Sequence, residues 1–139
     1  MNLFTSYWSN PALRKTDAVK VSISRGIPRW PLPFSYRAAR LLAPSRKTFE
    51  LRSDQAFEES YLAELEAAGV AKITDLLTRI SDEEGGRPLV LLCWEKPGEI
   101  CHRRQFAAWF EARTGIVVPE LESCGRSRSS RQDAQGQLF

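Results

Sequence analysis

The spacing of apolar positions divides the chain into segments of strand and helix periodicity. Residues 3–8 form a short apolar-rich run that predicts a strand, and Val19, Val21 and Ile23 alternate with polar residues as a second, half-buried strand. Phe34, Ala38, Leu41 and Leu42 share one helical face, which predicts a short helix over 34–42 closed by Ala43-Pro44-Ser45, and 47–52 is expected as an extended edge. Over 54–68, Phe57, Tyr61, Leu62 and Leu65 keep helical spacing with acids opposite, and Gly69 breaks or caps that helix. Ile73, Leu76, Leu77 and Ile80 predict another helix over 71–81, ended by Gly85-Gly86. The unbroken run Leu-Val-Leu-Leu-Cys at 89–93 predicts a buried strand. Phe106, Trp109 and Phe110 then recur at helical spacing, with Gly115 as C-cap and 116–118 as a last short strand stopped by Pro119.

These elements predict an α/β fold. We expect one domain over 1–121, a small mostly parallel sheet flanked by helices in a Rossmann-like three-layer arrangement, and a disordered tail over 122–139. Apolar residues at 42% and four tryptophans fit a packed core in a chain of 139 residues. No run reaches the length of a membrane span, and the start MNLFTSYWSN lacks the pattern of a secretion signal. Three cysteines, an odd number, argue against a disulfide framework and for a reducing cytoplasm. The formal charge of +3 hides a segregation: residues 1–52 hold ten bases and two acids, residues 53–86 nine acids and two bases. The basic block can face phosphates, or the acidic block can fold against it and neutralise it.

The stretch 89–104, LVLLCWEKPGEICHRR, carries most of the chemistry. It reads as strand, loop and helix, and it holds two of the three cysteines, the only histidine, a pair of arginines and Glu95. Ligands collect where a strand's carboxyl end meets a helix N-terminus, because unpaired N–H groups and the helix dipole favour anions. Arg25 and Arg29 leave the end of the second strand. If the two strands are parallel neighbours, both loops meet at one edge of the sheet.

LLCWEKPGEICHRR resembles the signature of domain-of-unknown-function family 488, an apolar strand ending in Cys-x-Glu followed by Cys-His-Arg at the start of a helix. The resemblance implies a small single-domain α/β fold and a shared site, without an established reaction. In the family the second strand typically ends in an arginine followed by proline, matched here by Arg25 and Pro28. Many relatives carry an aspartate within that strand, where this chain reads Val21-Ser22-Ile23-Ser24.

Four readings of the 93–104 site compete. An anion such as a nucleotide phosphate is held by Arg25, Arg29, Arg103 and Arg104 with the helix N–H groups. Alternatively Cys101, beside a histidine and arginines, acts as a thiolate nucleophile, with Glu95 or His102 handling protons. The phosphatase loop, an arginine six positions after a cysteine, is absent: those positions are Glu99 and Ala107. Cys93, Cys101, His102 and Cys124 offer soft metal ligands, but their spacing is not that of zinc pairs, and neither metal nor cofactor is expected. In the fourth reading the site is structural, with Cys93 as a small core residue and His102 and Glu95 tying down the loop.

The chain ends Gln135-Gly136-Gln137-Leu138-Phe139, behind a Ser/Arg-rich linker. Gln135, Leu138 and Phe139 resemble the peptide with which bacterial replication and repair proteins bind the DNA sliding clamp. Leucine and phenylalanine would fill an apolar pocket and the glutamine amide would bond at its rim. The sequence therefore predicts a DNA-metabolism accessory protein, cytoplasmic and nucleoid-associated when clamp-bound, with a nucleotide- or nucleic-acid-binding Cys-His-Arg site. The alternative is a cytoplasmic enzyme on a small anionic substrate, with Cys101 as nucleophile and independent of DNA.

Overall fold

A strand made only of apolar residues has no face for water, so it is stable only between two neighbours and under cover on both sides. β4 (Leu89–Cys93) meets this condition: all five residues are buried, with β1 (Leu3–Tyr7) parallel to it on one side and β2 (Val19–Ser22) parallel on the other. A two-residue strand, β3 (Arg37–Ala38), extends the sheet beyond β2, giving the all-parallel order β1-β4-β2-β3. The computed structural model describes residues 1–94 and 102–122. Among these no helix is long and apolar enough to cross a membrane.

Alternation decides which side chains meet. Leu3, Val19, Val21, Leu89, Leu91 and Cys93 point to one face, where α2 (Asp54–Ala68), α3 (Val70–Glu83) and α4 (His102–Thr114) bury Tyr61, Leu65, Ile73, Leu77, Phe106 and Phe110. Ser53 caps α2 by accepting the Ala56 N–H at 3.2 Å, and Gly69, at φ 94°, turns the chain between α2 and α3 in a backbone region that L side chains rarely adopt. Val90 and Leu92 point to the other face. Its cover is Trp8 and Leu13 around a 3-10 turn (Pro11–Arg14), together with Leu32, Phe34 and Tyr36.

The α/β class, the parallel sheet and the three long helices are as the sequence predicts, and three local expectations are corrected. Residues 34–42 form no α-helix: β3 is followed by a 3-10 turn (Arg40–Leu42). Leu32, Phe34 and Tyr36 alternate at period two, and Phe34 and Tyr36 pack on Trp8 with ring centroids 6.5 and 5.5 Å apart. Residues 47–52 are not an extended edge, because Ser45 accepts the Thr48 N–H and starts a one-turn helix, α1 (Arg46–Phe49). Residues 116–118 form no strand. The chain instead touches β1 three residues later, through a single bridge of Thr5 with Glu120 and hydrogen bonds from Thr5 N to Pro119 O and from Leu121 N to Thr5 O.

Of the ten bases in residues 1–52, only Arg37 forms ion pairs with the acidic block among the described residues, to Glu83 and Glu84.

Candidate functional site

β2 and β4 are hydrogen-bonded parallel neighbours, so the segments that leave their carboxyl ends emerge side by side at one edge of the sheet. After β2 come Ile23, Ser24, Arg25 and Gly26; after β4 comes Trp94; and α4 opens at His102. With Phe49 at the end of α1, Leu51 just after it, and Ser53, Asp54 and Phe57 at the start of α2, these segments enclose a cavity of about 130 Å³. A groove of about 630 Å³ shares Ser24, Arg25 and Gly26 with it and continues past Tyr36, Arg40 and Pro44.

His102 is the polar anchor of the cavity. Its Nε2 lies 2.6 Å from the carbonyl oxygen of Ile23, and since a carbonyl only accepts, Nε2 carries the proton. This bond ties the first turn of α4 to the end of β2. Tyr61 packs edge-on against the ring at 5.3 Å and donates its hydroxyl to Leu42 O at 2.6 Å. Burial, with a smaller push in the same direction from the Arg103 charge, lowers the His102 pKa to about 4 against the opposing pull of the Ile23 carbonyl. The imidazole is therefore neutral at pH 7, with the Nδ1 lone pair unpartnered among the described residues.

The arginines separate. Arg25 is exposed, lines both cavity and groove, and is positioned by a 3.3 Å bond from Nη1 to Pro44 O. It makes no ion pair among the described residues. Arg29 and Arg104 are exposed, and neither lines the cavity or the groove. Arg103 is wholly buried and lines neither. Its Nε and Nη2 fork onto the Glu120 carboxylate at 3.1 and 3.0 Å, and Nη1 donates to Cys93 Sγ at 3.1 Å. Thr5 Oγ1 also donates to Glu120, at 2.8 Å. The guanidinium is thus committed to the interior, joining α4 to β4 and to the segment that bridges β1.

Cys93 is fully buried at the end of its strand and is disulfide-bonded, against the expectation drawn from the odd number of cysteines. Glu95 and Cys101, the candidate proton carrier and nucleophile, lie outside the described residues, as do Cys124 and the clamp-type residues Gln135, Leu138 and Phe139. In the chain, Glu95 directly follows Trp94 and Cys101 directly precedes His102. Among the described residues no cluster of three His, Cys, Asp or Glu side chains is arranged to hold a metal.

Several contributors escaped the sequence reading. Trp94 and Trp30 stand 40% and 46% exposed with ring centroids 5.7 Å apart, nearly perpendicular, and Phe49 is 56% exposed. Their signal was available: Trp94 lies just past a buried strand, and Trp30 sits between prolines in a loop, where neither has a core to join. Glu120, the partner of Arg103, had no signal, because 17 residues separate them. At the groove, Glu64 accepts from Ser45 N at 2.9 Å and from Ser45 Oγ and Thr48 Oγ1 at 2.5 Å each. Burial raises its pKa, but these bonds outweigh burial and the net shift is downward.

A family model, DUF488-N3a, described as the active DUF488-N3 subclade, matches residues 18–114. The match opens one residue before β2 and closes with α4, so it contains every residue lining the cavity. No curated protein and no solved structure matches the chain.

Proposed function

The chain belongs to the DUF488-N3a family, and from that premise we propose that it is a DNA-metabolism accessory protein. In this reading it takes a nucleotide or nucleic acid at the cavity between β2, β4 and α4, and its C-terminal QGQLF peptide recruits it to a bacterial-type sliding clamp. The carrying observation is Arg25, an exposed cation without an ion pair among the described residues, set in an aromatic-lined cavity at the carboxyl edge of a parallel sheet. The basic block supports it, since nine of its ten bases form no ion pair with the acidic block among the described residues and so leave a field that attracts phosphate. Tethering at a clamp would raise the local concentration of DNA without high affinity in the domain itself.

The test has two parts. A labelled peptide of the last twelve or so residues should bind a bacterial sliding clamp with micromolar affinity, and changing Leu138 and Phe139 to alanine should abolish this. The full chain should bind a nucleoside monophosphate, and Arg25→Gln should weaken that binding. Failure of the peptide removes the clamp; failure of the nucleotide removes the site.

A second reading, a cytoplasmic enzyme acting on a small anionic substrate with Cys101 as nucleophile, is favoured by one observation. His102, next to Cys101 in sequence, is neutral and has a lone pair available to accept a proton. The description of the subclade as active is in line with catalysis. This reading expects alkylation by iodoacetamide at neutral pH to label Cys101 selectively, and a Cys101→Ala variant that still binds substrate but does not turn it over.

A further inference from the structure

The geometry points to an unpaired base in a single nucleic-acid strand as the occupant of this site. The inference rests on the nucleotide- or nucleic-acid-binding reading above and narrows it. Three observations carry it, and each concerns a different part of the ligand.

The first is the mouth of the cavity. Trp94, which lines the cavity, and Trp30, edge-to-face with it at 5.7 Å, are 40% and 46% exposed, so indole surface is left open to solvent beside the cavity. Bases stack on aromatic rings without sequence preference, but only when their own stacking partners are absent. A duplex presents phosphates and groove edges to a protein surface and would leave both indoles bare.

The second is size. A recess of about 130 Å³ falls below the 300 Å³ or so at which pockets enclose a whole drug-sized ligand. It admits a planar ring, with the sugar and phosphate left outside. Its polar groups suit the edge of a base, since Asp54 accepts hydrogen bonds and His102 offers the Nδ1 lone pair.

The third is continuity. The cavity and the larger groove meet at Ser24, Arg25 and Gly26, so the phosphate beside a bound base falls at Arg25 and the strand continues toward Arg40. Two acids border this path. Glu64 has its carboxylate held by Ser45 and Thr48, while Asp54 remains exposed at the cavity wall. The exposed Arg25 and Arg40 place two cations along the groove, where successive phosphates of an extended anion can meet them, while the Glu64 carboxylate is turned onto Ser45 and Thr48.

The test uses the full chain and four probes: a ten-residue oligothymidylate, its ribonucleotide counterpart, a duplex of equal length, and thymidine monophosphate. Binding is followed by anisotropy of labelled oligonucleotide and by tryptophan quenching. The single strand should bind at least about 5-fold more tightly than the duplex, the equivalent of one stacked base. Trp94→Ala should weaken it about 5- to 150-fold, with Trp94→Phe recovering most of the loss. Arg40→Gln, at an exposed position, should weaken the oligonucleotide and leave the monophosphate unchanged. The two strand chemistries tell DNA from RNA.

Equal or tighter binding of the duplex overturns the inference, as does unchanged binding in both Trp94→Ala and Arg40→Gln. If Trp94→Ala does not fold by circular dichroism, Arg40→Gln and the duplex comparison decide. Monophosphate binding without preference for the single strand defeats this inference and leaves the proposed function standing. No binding of any probe defeats both.

Discussion

Arg103 and Arg25 serve the same corner of the sheet in opposite ways. Arg103 lies inside, with no exposed surface, its guanidinium forked onto Glu120 and in contact with Cys93 Sγ. Arg25 lies at the rim, exposed, with one bond to a backbone carbonyl. A buried charge is tolerated only when its donors are satisfied, so Arg103 is an interior strut. A surface charge keeps its hydration until a ligand replaces it, so Arg25 is free to recognise one. Motif membership does not distinguish these roles; the environment of each guanidinium does.

This contrast can be broken at several points. The largest effect is expected at Arg103. Arg103→Ala leaves Glu120 without its partner and opens a void, which should cost about 3–5 kcal/mol by urea denaturation. Changing both residues, Arg103→Met with Glu120→Leu, should recover most of the loss, because no unpaired charge then remains.

Next comes acid. His102 has a folded-state pKa near 4 against an ordinary 6.5, so the unfolded chain takes up the proton first as pH falls. Its contribution to stability is complete above about pH 6.5 and is lost between there and about pH 4, amounting to roughly 3 kcal/mol. The lowered carboxyl groups of Glu64 and Glu84 act in the same direction, but only below the ordinary glutamate value of 4.5. Urea midpoints at pH 7 and pH 5 should therefore differ for the native chain and nearly coincide for His102→Gln. A native chain whose stability is flat over this range would show that the imidazole is not held neutral.

Tyr61→Phe removes a buried hydroxyl and strands the Leu42 carbonyl, which should cost about 1–2 kcal/mol in the same assay. The smallest stability effect is expected at Arg25. Arg25→Gln should leave the urea midpoint unchanged while weakening nucleotide binding, the reverse of Arg103→Met, which should perturb the fold more than the ligand affinity.

Much of this architecture was legible from periodicity. Burial on both faces shows in Leu89–Cys93 as an unbroken apolar run, and α2, α3 and α4 follow the 3.6-residue spacing of their core positions. The convergence of the β2 and β4 loops followed from parallel pairing. Residues 34–42 were misleading because Phe34, Ala38, Leu41 and Leu42 fit a helix while Leu32, Phe34 and Tyr36 fit a strand. Only the presence of Trp8 on the second face selects the latter. The one-turn helix α1 depends on a cap and a carboxylate 19 residues away, the separation between Ser45 and Glu64, which no local window registers.

By itself the sequence determined the fold class, the three long helices and the family. These follow from local periodicity and from a motif whose residues are close together in the chain. The tertiary structure alone decided which arginine faces solvent, that His102 is neutral and bonded to Ile23, and that Trp30 and Trp94 meet edge to face. Each of those facts depends on desolvation or on contacts between residues 10 to 79 positions apart, and no side chain's charge or exposure can be known before its distant neighbours are in place.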